Sequence, residues 1–216
     1  MSEISELIDK HNLEIAPECH QQLVTFCHSV WQYNKQLNLT RHTDYEKFVT
    51  RDLVDTWQVS RLLKENEQIL DVGTGGGVPG LVLKIIRPDL RIACAESVKK
   101  KALALSEIAS TANIEVEIYD CRAESLLEDF RFDATTARAV GPLWKICSWF
   151  NEHWVTMGRL LAIKGPKWPE EKAEAEEKGL LENVQVAVAS QYPTPETDWE
   201  STILKLWAKG APEPGK

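Results

Sequence analysis

The stretch QILDVGTGGGVPGLVLKIIRP, residues 68–88, decides the fold, because a glycine-rich loop here joins two apolar runs. The run ILDVG is typical of a buried strand, and LVLKII is typical of the first turns of a helix. Five glycines fall within eight positions between the two runs: Gly73, Gly75, Gly76, Gly77 and Gly80. Glycine lets a backbone turn sharply and lets a ligand approach it closely. A strand, a glycine loop and a helix in this order predict a bound nucleotide-like ligand.

The chain that follows this loop alternates between strand and helix patterns. Short apolar runs such as RIACAES, IEVEIYDC and GRLLAIKG are separated by helical stretches. This alternation indicates βαβ units in an α/β, Rossmann-like fold, with a mostly parallel, twisted sheet and helices on both faces. Two further strand candidates, NVQVAVASQY and STILKLWAKG, lack a convincing helix between them. They predict a closing hairpin that adds an antiparallel strand near the C-terminus.

The chain before the loop has only helical spacing, with apolar residues recurring every three or four positions. We therefore predict an N-terminal helical extension over residues 1–65 and a ligand-binding domain over residues 66–210. The last residues, 211–216, read APEPGK and predict a loose tail.

Composition excludes several classes of protein. The 216-residue chain is 43% hydrophobic and contains no apolar run near the roughly 20 residues of a membrane span. Its acidic first residues do not resemble a signal peptide, so we expect a cytoplasmic protein with no membrane partner. The net charge of −8 argues against simple electrostatic binding of nucleic acid, although cations are locally denser at 41–61 and 97–101.

The five cysteines form no C-x-x-C pair, and we expect reduced thiols. Cys19 and His20 precede Cys27 and His28 by eight residues, which is a rise of roughly 12 Å along a helix. Zinc ligands lie within about 2.3 Å of one ion, so these four residues predict no metal site.

Two ligands fit the glycine loop. Gly75, Gly77 and Gly80 match the dinucleotide pattern G-x-G-x-x-G. Gly73, Gly75 and Gly77 match the G-x-G-x-G loop of S-adenosylmethionine-dependent methyltransferases. Asp71 favours the second ligand, because a carboxylate facing the loop would repel a pyrophosphate and attract the ammonium of S-adenosylmethionine. A solvated carboxylate at the end of a strand is the alternative interpretation of Asp71.

Glu96 is the next acidic candidate, at the end of the second predicted strand and about twenty residues past the loop. A carboxylate at this position can accept hydrogen bonds from both ribose hydroxyls. Because both candidate ligands contain ribose, Glu96 predicts a nucleoside without choosing between them. A carboxylate that starts a helix is the alternative.

The sequence resembles the bacterial ribosomal RNA small-subunit methyltransferase G family, also called the glucose-inhibited division protein B family. The matching stretches are YNKQLNLT (33–40), DVGTGGGVPGLVL (71–83), IRPDL (86–90), CRAESL (121–126), ARA (137–139) and AIKG (162–165). They occur in the order found in the family, and beyond residue 165 the likeness is only general. The chain departs from the family by having Gly76 where proline is common and Asp52 where histidine is common.

The resemblance implies a class I methyltransferase fold with an N-terminal extension and S-adenosyl-L-methionine as the cofactor. It implies methyl transfer to N7 of a guanine in 16S ribosomal RNA near the decoding centre, so 16S RNA or the small subunit is the expected partner. By motif position, Gly73 and Val78 should contact the cofactor, and Ala123 and Glu124 should hold its adenine. Arg138 should also lie against it, the alternative being an ion pair with an acidic neighbour.

Guanine N7 carries a lone pair and no proton, so its methylation requires no general base, and we assign no catalytic residue. Arg51 and Lys164 are the first candidates for contacts with RNA phosphates, although Lys164 is equally consistent with a solvated lysine at a strand end. We assign none of the eight tryptophans to base stacking.

Three other functions stay open at the level of sequence. One is a methyltransferase of the same fold that acts on a small molecule or a protein. The others are a nicotinamide-dependent oxidoreductase and a non-enzymatic RNA-binding or assembly factor that retains the loop. The sequence favours a monomer but does not determine the oligomeric state.

Overall fold

The computed structural model describes residues 2–214 and contains one seven-stranded sheet. The strands are β1 (Gln68–Val72), β2 (Arg91–Ala95), β3 (Glu117–Tyr119), β4 (Ala134–Arg138), β5 (Arg159–Lys164), β6 (Val184–Pro193) and β7 (Glu200–Ala208). Their order across the sheet is β3-β2-β1-β4-β5-β7-β6. Strands β1 to β5 are parallel, whereas β7 is antiparallel to both β5 and β6. The predicted fold class, including the C-terminal hairpin, is therefore confirmed.

Helices flank the strands as the alternating pattern predicts. They are α1 (Glu3–Lys10), α2 (His20–Leu37), α3 (Tyr45–Lys47), α4 (Val54–Ser60), α5 (Gly80–Ile86), α6 (Lys99–Thr111), α7 (Ala123–Asp129), α8 (Leu143–Trp149) and α9 (Trp168–Glu177). A π-helical segment, Phe48–Leu53, joins α3 to α4 and was not expected from the sequence. Asp44 caps α3 by accepting a hydrogen bond of 2.8 Å from the backbone N–H of Lys47.

The two faces of the sheet bury separate apolar clusters, because successive side chains of a strand point to opposite faces. Ile69 packs on one face with residues of α1, α2, α4, α5 and α6, and neighbouring Leu70 packs on the other face with α7 and α8. The N-terminal helices thus share their apolar core with one face of the sheet.

The chain order places a switch point between β1 and β4. From β1 the chain continues to β2 and β3 on one side of the sheet, and it then returns to β4 on the other side. Ligands of such sheets bind outside the carboxyl ends of the strands at this point. The glycine loop begins directly after β1, and Arg138 is the last residue of β4, so both lie at these carboxyl ends.

The division of the chain at residues 65 and 210 stays a prediction. The described part of the predicted tail, 211–214, contacts β7, since the Lys205 ammonium donates 2.6 Å to Glu213 and 3.1 Å to the carbonyl of Pro214. Residues 215–216 of that tail lie outside the described residues. Between residues 2 and 214, no helix is both long enough and apolar enough to cross a membrane.

Candidate functional site

The glycine loop is shaped by backbone conformations that favour glycine. Gly73, Gly75 and Gly77 have φ angles of +62°, +54° and +88°. A Cβ atom on Gly73 would lie 2.6 Å from a methyl group of Val140, which follows β4. A Cβ on Gly77 would instead crowd Phe26 of α2 at 3.1 Å. Gly73 therefore faces the switch point, whereas Gly77 packs against the N-terminal helices.

Asp71 lies beneath the loop and is completely buried, which corrects the expectation that its carboxylate faces a ligand. The hydroxyl groups of Thr74 and Thr136 donate to it, as does the backbone N–H of Gly80 at 3.0 Å. Burial raises the pKa of Asp71 to about 6, although these hydrogen bonds oppose the shift. The side chain fixes the strand, the loop and the start of α5 relative to one another.

Glu96 follows β2 and lies beside the loop. One of its oxygens accepts from the backbone N–H of Gly75 at 3.1 Å, and the other accepts from Val98 at 2.8 Å. An ionised carboxylate has about four acceptor positions, so two remain for hydroxyl donors. This arrangement can hold the two hydroxyls of a ribose placed over Gly75.

A cavity of about 230 Å³ opens between the ends of β1, β2 and β4, and it is lined by the chain neighbours of Glu96, Ala95 and Ser97, but not by Glu96 itself. Its lining includes Gly73, Ala95, Ala123, Glu124 and Val140. The structure thus brings together the predicted loop residue Gly73 and the two residues predicted to hold adenine. Val78 is half-buried against the N-terminal core and is not in this lining.

Cys121 also lines the cavity. Burial raises the pKa of its thiol, and nearby Asp120 raises it further. A thiol with a raised pKa is a poor nucleophile, because the reactive species is the thiolate. We therefore do not assign Cys121 a role as a covalent nucleophile.

Arg138 ends β4 and belongs to a buried charged cluster that the sequence did not predict. Its guanidinium donates to Asp52 of the π-helical segment and lies 3.7 Å from Asp55 of α4. His42 contacts the same oxygen of Asp52 at 2.8 Å, and Tyr192 of β6 donates to Asp55 at 2.7 Å. The cluster joins the N-terminal helices, the sheet and the C-terminal hairpin.

The two carboxylates of this cluster differ electrostatically. Burial would raise the pKa of Asp52, but Arg138 and His42 bring it below its ordinary value. Burial dominates at Asp55, whose pKa is raised. Among residues 2–214, Nη1 of Arg138 is buried and has no hydrogen-bond partner. Because buried donors are rarely left unpaired, this atom points to a missing acceptor such as a ligand carboxylate.

The two residues proposed for RNA contacts lie in different environments. Lys164 is only 7% exposed, and its ammonium contacts Glu171 at 2.6 Å and donates to the carbonyl of Gly141 at 2.7 Å. It is therefore not a solvated lysine, and its ammonium is already paired with Glu171, so a contact with an RNA phosphate stays a prediction. Arg51 is partly exposed and lies over the ring of Trp199, with 5.6 Å between its Cζ atom and the ring centroid.

A larger cavity, of about 740 Å³, lies at the opposite edge of the sheet. It is lined by Gln68 and Arg91, which begin β1 and β2, and by Phe130 and Arg131. None of the residues predicted to bind the cofactor lines it, whereas Gly73, Ala123 and Glu124 line the smaller cavity. We assign the ligand site to the smaller cavity, because ligands of α/β sheets bind at the carboxyl ends of the strands.

We expect Glu96→Ala to weaken cofactor binding by about 1–3 kcal/mol, which is the cost of leaving buried polar groups unpaired. Isothermal titration calorimetry measures the change. Glu107→Ala, on the exposed face of α6, is the matched control and should leave the dissociation constant unchanged. An unchanged constant for Glu96→Ala would show that this carboxylate only starts a helix.

The sequence matches a family model and curated proteins. Residues 19–197 match the model described as rRNA small subunit methyltransferase G. A ribosomal RNA small subunit methyltransferase G from Rhodopirellula baltica is 44% identical over 192 residues, covering 89% of this chain and 83% of that protein. The protein of the same name from Desulfotalea psychrophila is 31% identical, covering 95% of this chain and 97% of its own length.

Solved structures with little sequence identity share the fold. A methyltransferase from Pyrococcus furiosus has a TM-score of 0.55 at 11% identity, covering 87% of this chain and 98% of its own. TrmK from M. capricolum, solved with S-adenosyl-homocysteine, has a TM-score of 0.56 at 11% identity, covering 72% and 68% of the two chains. These structures support the methyltransferase-type sheet described above.

Proposed function

This chain belongs to the rRNA small subunit methyltransferase G family, and from that membership we propose that it methylates N7 of one guanine in 16S ribosomal RNA near the decoding centre. It is an S-adenosylmethionine-dependent methyltransferase of small-subunit ribosomal RNA. The observation that carries the proposal is the cavity at the switch point, which is lined by Gly73, Ala123 and Glu124 and by the two chain neighbours of Glu96, whose carboxylate bonds to the loop at Gly75.

The residues around the cavity fit the chemical groups of S-adenosylmethionine. Glu96 has acceptor positions left for the ribose hydroxyls. Ala123 and Glu124 line the cavity, and we infer that they flank the adenine ring. The unpaired Nη1 of Arg138 would donate to the carboxylate of the methionine moiety. Asp71 acts indirectly, by holding the loop in shape.

When bound, S-adenosylmethionine supplies a methyl group on a positively charged sulfur. Held by Glu96 and the cavity lining, this methyl group would be available to the lone pair of guanine N7, with neutral S-adenosylhomocysteine as the other product. No proton has to leave before this step, so the chain contributes mainly by positioning. Cys121, a titratable nucleophile beside the cavity, is protonated at neutral pH because its pKa is raised.

The proposal is tested on small ribosomal subunits isolated from cells that lack the protein. Incubation with the protein and S-adenosylmethionine should add one N7-methylguanine to 16S RNA, detected by nuclease digestion and mass spectrometry of the nucleosides. The same subunits without the cofactor are the control. Subunits that gain no methyl group, or gain it on another nucleoside, would contradict the proposal.

We expect S-adenosylmethionine and S-adenosylhomocysteine to bind with affinities of the same order of magnitude, and NAD not to bind. The carboxylate of Glu96 and the loop can hold a nucleoside. Asp71 is buried directly beneath the loop, and its negative charge would repel a pyrophosphate bound against the loop. Calorimetry with the three ligands measures this. Binding of NAD in preference to S-adenosylmethionine would overturn the assignment of the site.

We also propose that the protein acts in the cytoplasm, where ribosomal subunits are found, and that it acts as a monomer. Light scattering coupled to size exclusion should give the mass of one chain, 24.5 kDa. A mass of two chains would contradict the second part of this proposal.

A further inference from the structure

Trp199 is an exposed aromatic residue whose ring does not pack in the hydrophobic core. It is 49% exposed, and within residues 2–214 it belongs to neither of the two apolar clusters. The Arg51 guanidinium lies over its ring at 5.6 Å. Since an arginine covers one face and about half of the side chain stays accessible, the opposite face of the indole is available to a ligand.

The backbone around Trp199 is held in place by its own hairpin. The carbonyl of Trp199 accepts a hydrogen bond of 3.1 Å from the backbone N–H of Thr194. It also accepts one of 3.3 Å from the hydroxyl of Thr197. Thr194 and Ser201 pair through their hydroxyls at 2.7 Å, and both are buried. The indole is therefore presented on a fixed turn, which lowers the entropy lost when a ligand stacks on it.

This turn lies at the same edge of the sheet as the cofactor site. Strand β7 is antiparallel to β5 and begins beside Lys164, so its first residues meet the carboxyl end of β5. Tyr192, at the end of β6, donates to Asp55, which pairs with Arg138. Arg51 is the chain neighbour of Asp52 in the same cluster. The Arg51–Trp199 pair thus flanks the cluster that ends β4.

We propose that Trp199, backed by Arg51, is a stacking site for an unpaired RNA base near the target guanine. The proposal rests on the function proposed above and adds a contact with the substrate. Proteins recognise unpaired RNA mostly by stacking bases on aromatic rings, and every base has a face that can stack. A guanidinium on the far side of the ring keeps the indole in place and adds a cation–π contact.

The charges around Trp199 favour a base over a phosphate as the ligand. Asp198 and Glu200 are its chain neighbours, and both are exposed. Their negative charges repel a phosphate, whereas an uncharged base is unaffected by them. Arg51 is not among the cations that form ion pairs in the described part of the chain. Because a stacked base carries no charge, the contact between Trp199 and the base contributes little to the salt dependence of binding.

The test compares Trp199→Ala, Trp199→Phe and the unmodified protein. We expect Trp199→Ala to weaken binding to a naked 16S RNA fragment containing the target loop by about 5- to 160-fold, the range for one lost stacked base. Trp199→Phe should recover most of this loss. The slope of log K against log salt should stay the same, because no phosphate contact is removed. Affinity for S-adenosylmethionine should be unchanged in both variants.

Phe130→Ala is the matched control, because Phe130 is 47% exposed but lines the cavity at the opposite edge of the sheet. It should bind the RNA fragment as the unmodified protein does. Unchanged RNA affinity in Trp199→Ala would overturn the stacking site. A loss seen with whole subunits but not with naked RNA would also overturn it, by indicating a ribosomal protein as the partner.

Failure of the stacking site can be separated from failure of the proposed function by one further measurement. The unmodified protein is assayed for N7-methylguanine formation in parallel with the variants. If it methylates the subunit and Trp199→Ala has the same KM for RNA, only the stacking site is wrong. If it methylates no ribosomal RNA, the proposed function itself is wrong.

Discussion

Replacing Arg138 with methionine is expected to lower the free energy of unfolding by about 3–5 kcal/mol, because it removes the arginine that pairs with two buried carboxylates and leaves Asp52 with His42 alone. Both carboxylates are largely buried, with side-chain exposures of 4% and 15%. The same change removes the unpaired Nη1 donor that we assign to the cofactor carboxylate. Urea denaturation measures the first effect, and calorimetry below the unfolding transition measures the second.

Arg159→Met is the matched control for the Arg138 variant. Arg159 forms a buried pair with Glu67, through contacts of 2.9 and 2.7 Å, at the amino end of β5. Its removal should destabilise the protein by a similar amount while leaving S-adenosylmethionine affinity unchanged. Arg138→Met should weaken that affinity by about 10-fold or more, as expected for a lost charge-assisted hydrogen bond. Equal cofactor affinity in the two variants would show that Arg138 has only a structural role.

Adding Asp52→Asn to Arg138→Met identifies the source of the lost stability. If the cost comes from an unpaired buried charge, removing the charge of Asp52 should recover part of it. Cofactor affinity should not recover, because the donor is still missing. A double variant that is no more stable than Arg138→Met would show that lost packing of the arginine side chain causes the effect.

The general architecture could be predicted from the sequence because it follows from local pattern. The apolar strand before Gly73, the helix after it and the repeat of this alternation are properties of neighbouring residues. The hairpin of β6 and β7 was predicted in the same way, from two strand patterns without a helix between them. Glu96 was recognised as a candidate because its position at a strand end depends only on spacing from the loop.

The charged cluster could not be predicted, because its members are distant in the chain. Arg138 and Asp52 are 86 residues apart, and Tyr192 and Asp55 are 137 apart. The sequence allows an ion pair of Arg138 as an alternative, but no spacing rule identifies its partners. The departure from the family at Asp52 was the one available signal, and in the structure this carboxylate pairs with Arg138 and with His42.

Burial produced the other differences between prediction and structure. Asp71 and Lys164 both lie at strand ends, where a side chain can face either a cavity or the interior. Asp71 turns beneath its own loop toward Thr136 of the neighbouring strand, and Lys164 turns toward Glu171 of α9. Both orientations depend on contacts between strands and helices that only the folded chain brings together. The sequence also does not show which tryptophan the core leaves exposed, and in the structure Trp199 is 49% exposed.

Substrate RNA with 7-deazaguanine at the target position is expected to accept no methyl group while binding with nearly unchanged affinity. The substitution replaces N7 with a C–H group and leaves the Watson–Crick edge, the sugar and the phosphates intact. If N7 is the acceptor, the only nucleophilic atom is lost, so single-turnover transfer should fall below detection. Competition against unmodified RNA measures the binding. Methylation of the deaza substrate at the same nucleotide would show that another atom is the acceptor.

The same mechanism sets the pH dependence of the transfer step on unmodified RNA. The pKa of guanine N7 lies far below neutral, so N7 carries no proton anywhere between about pH 7 and 9. A reaction without a general base should therefore have a nearly constant single-turnover rate over this range. The window begins at 7 because buried Asp71 has a pKa of about 6, and its protonation could alter the loop below that pH. Burial raises the pKa of the Cys121 thiol above its ordinary value, so this thiol is not a candidate for the group that would titrate near neutral pH. A rise of about one log unit per pH unit between pH 7 and 9 would show that a side chain must lose a proton before transfer. A constant rate together with an inert deaza substrate would leave positioning of N7 against the methyl group as the main contribution of the protein.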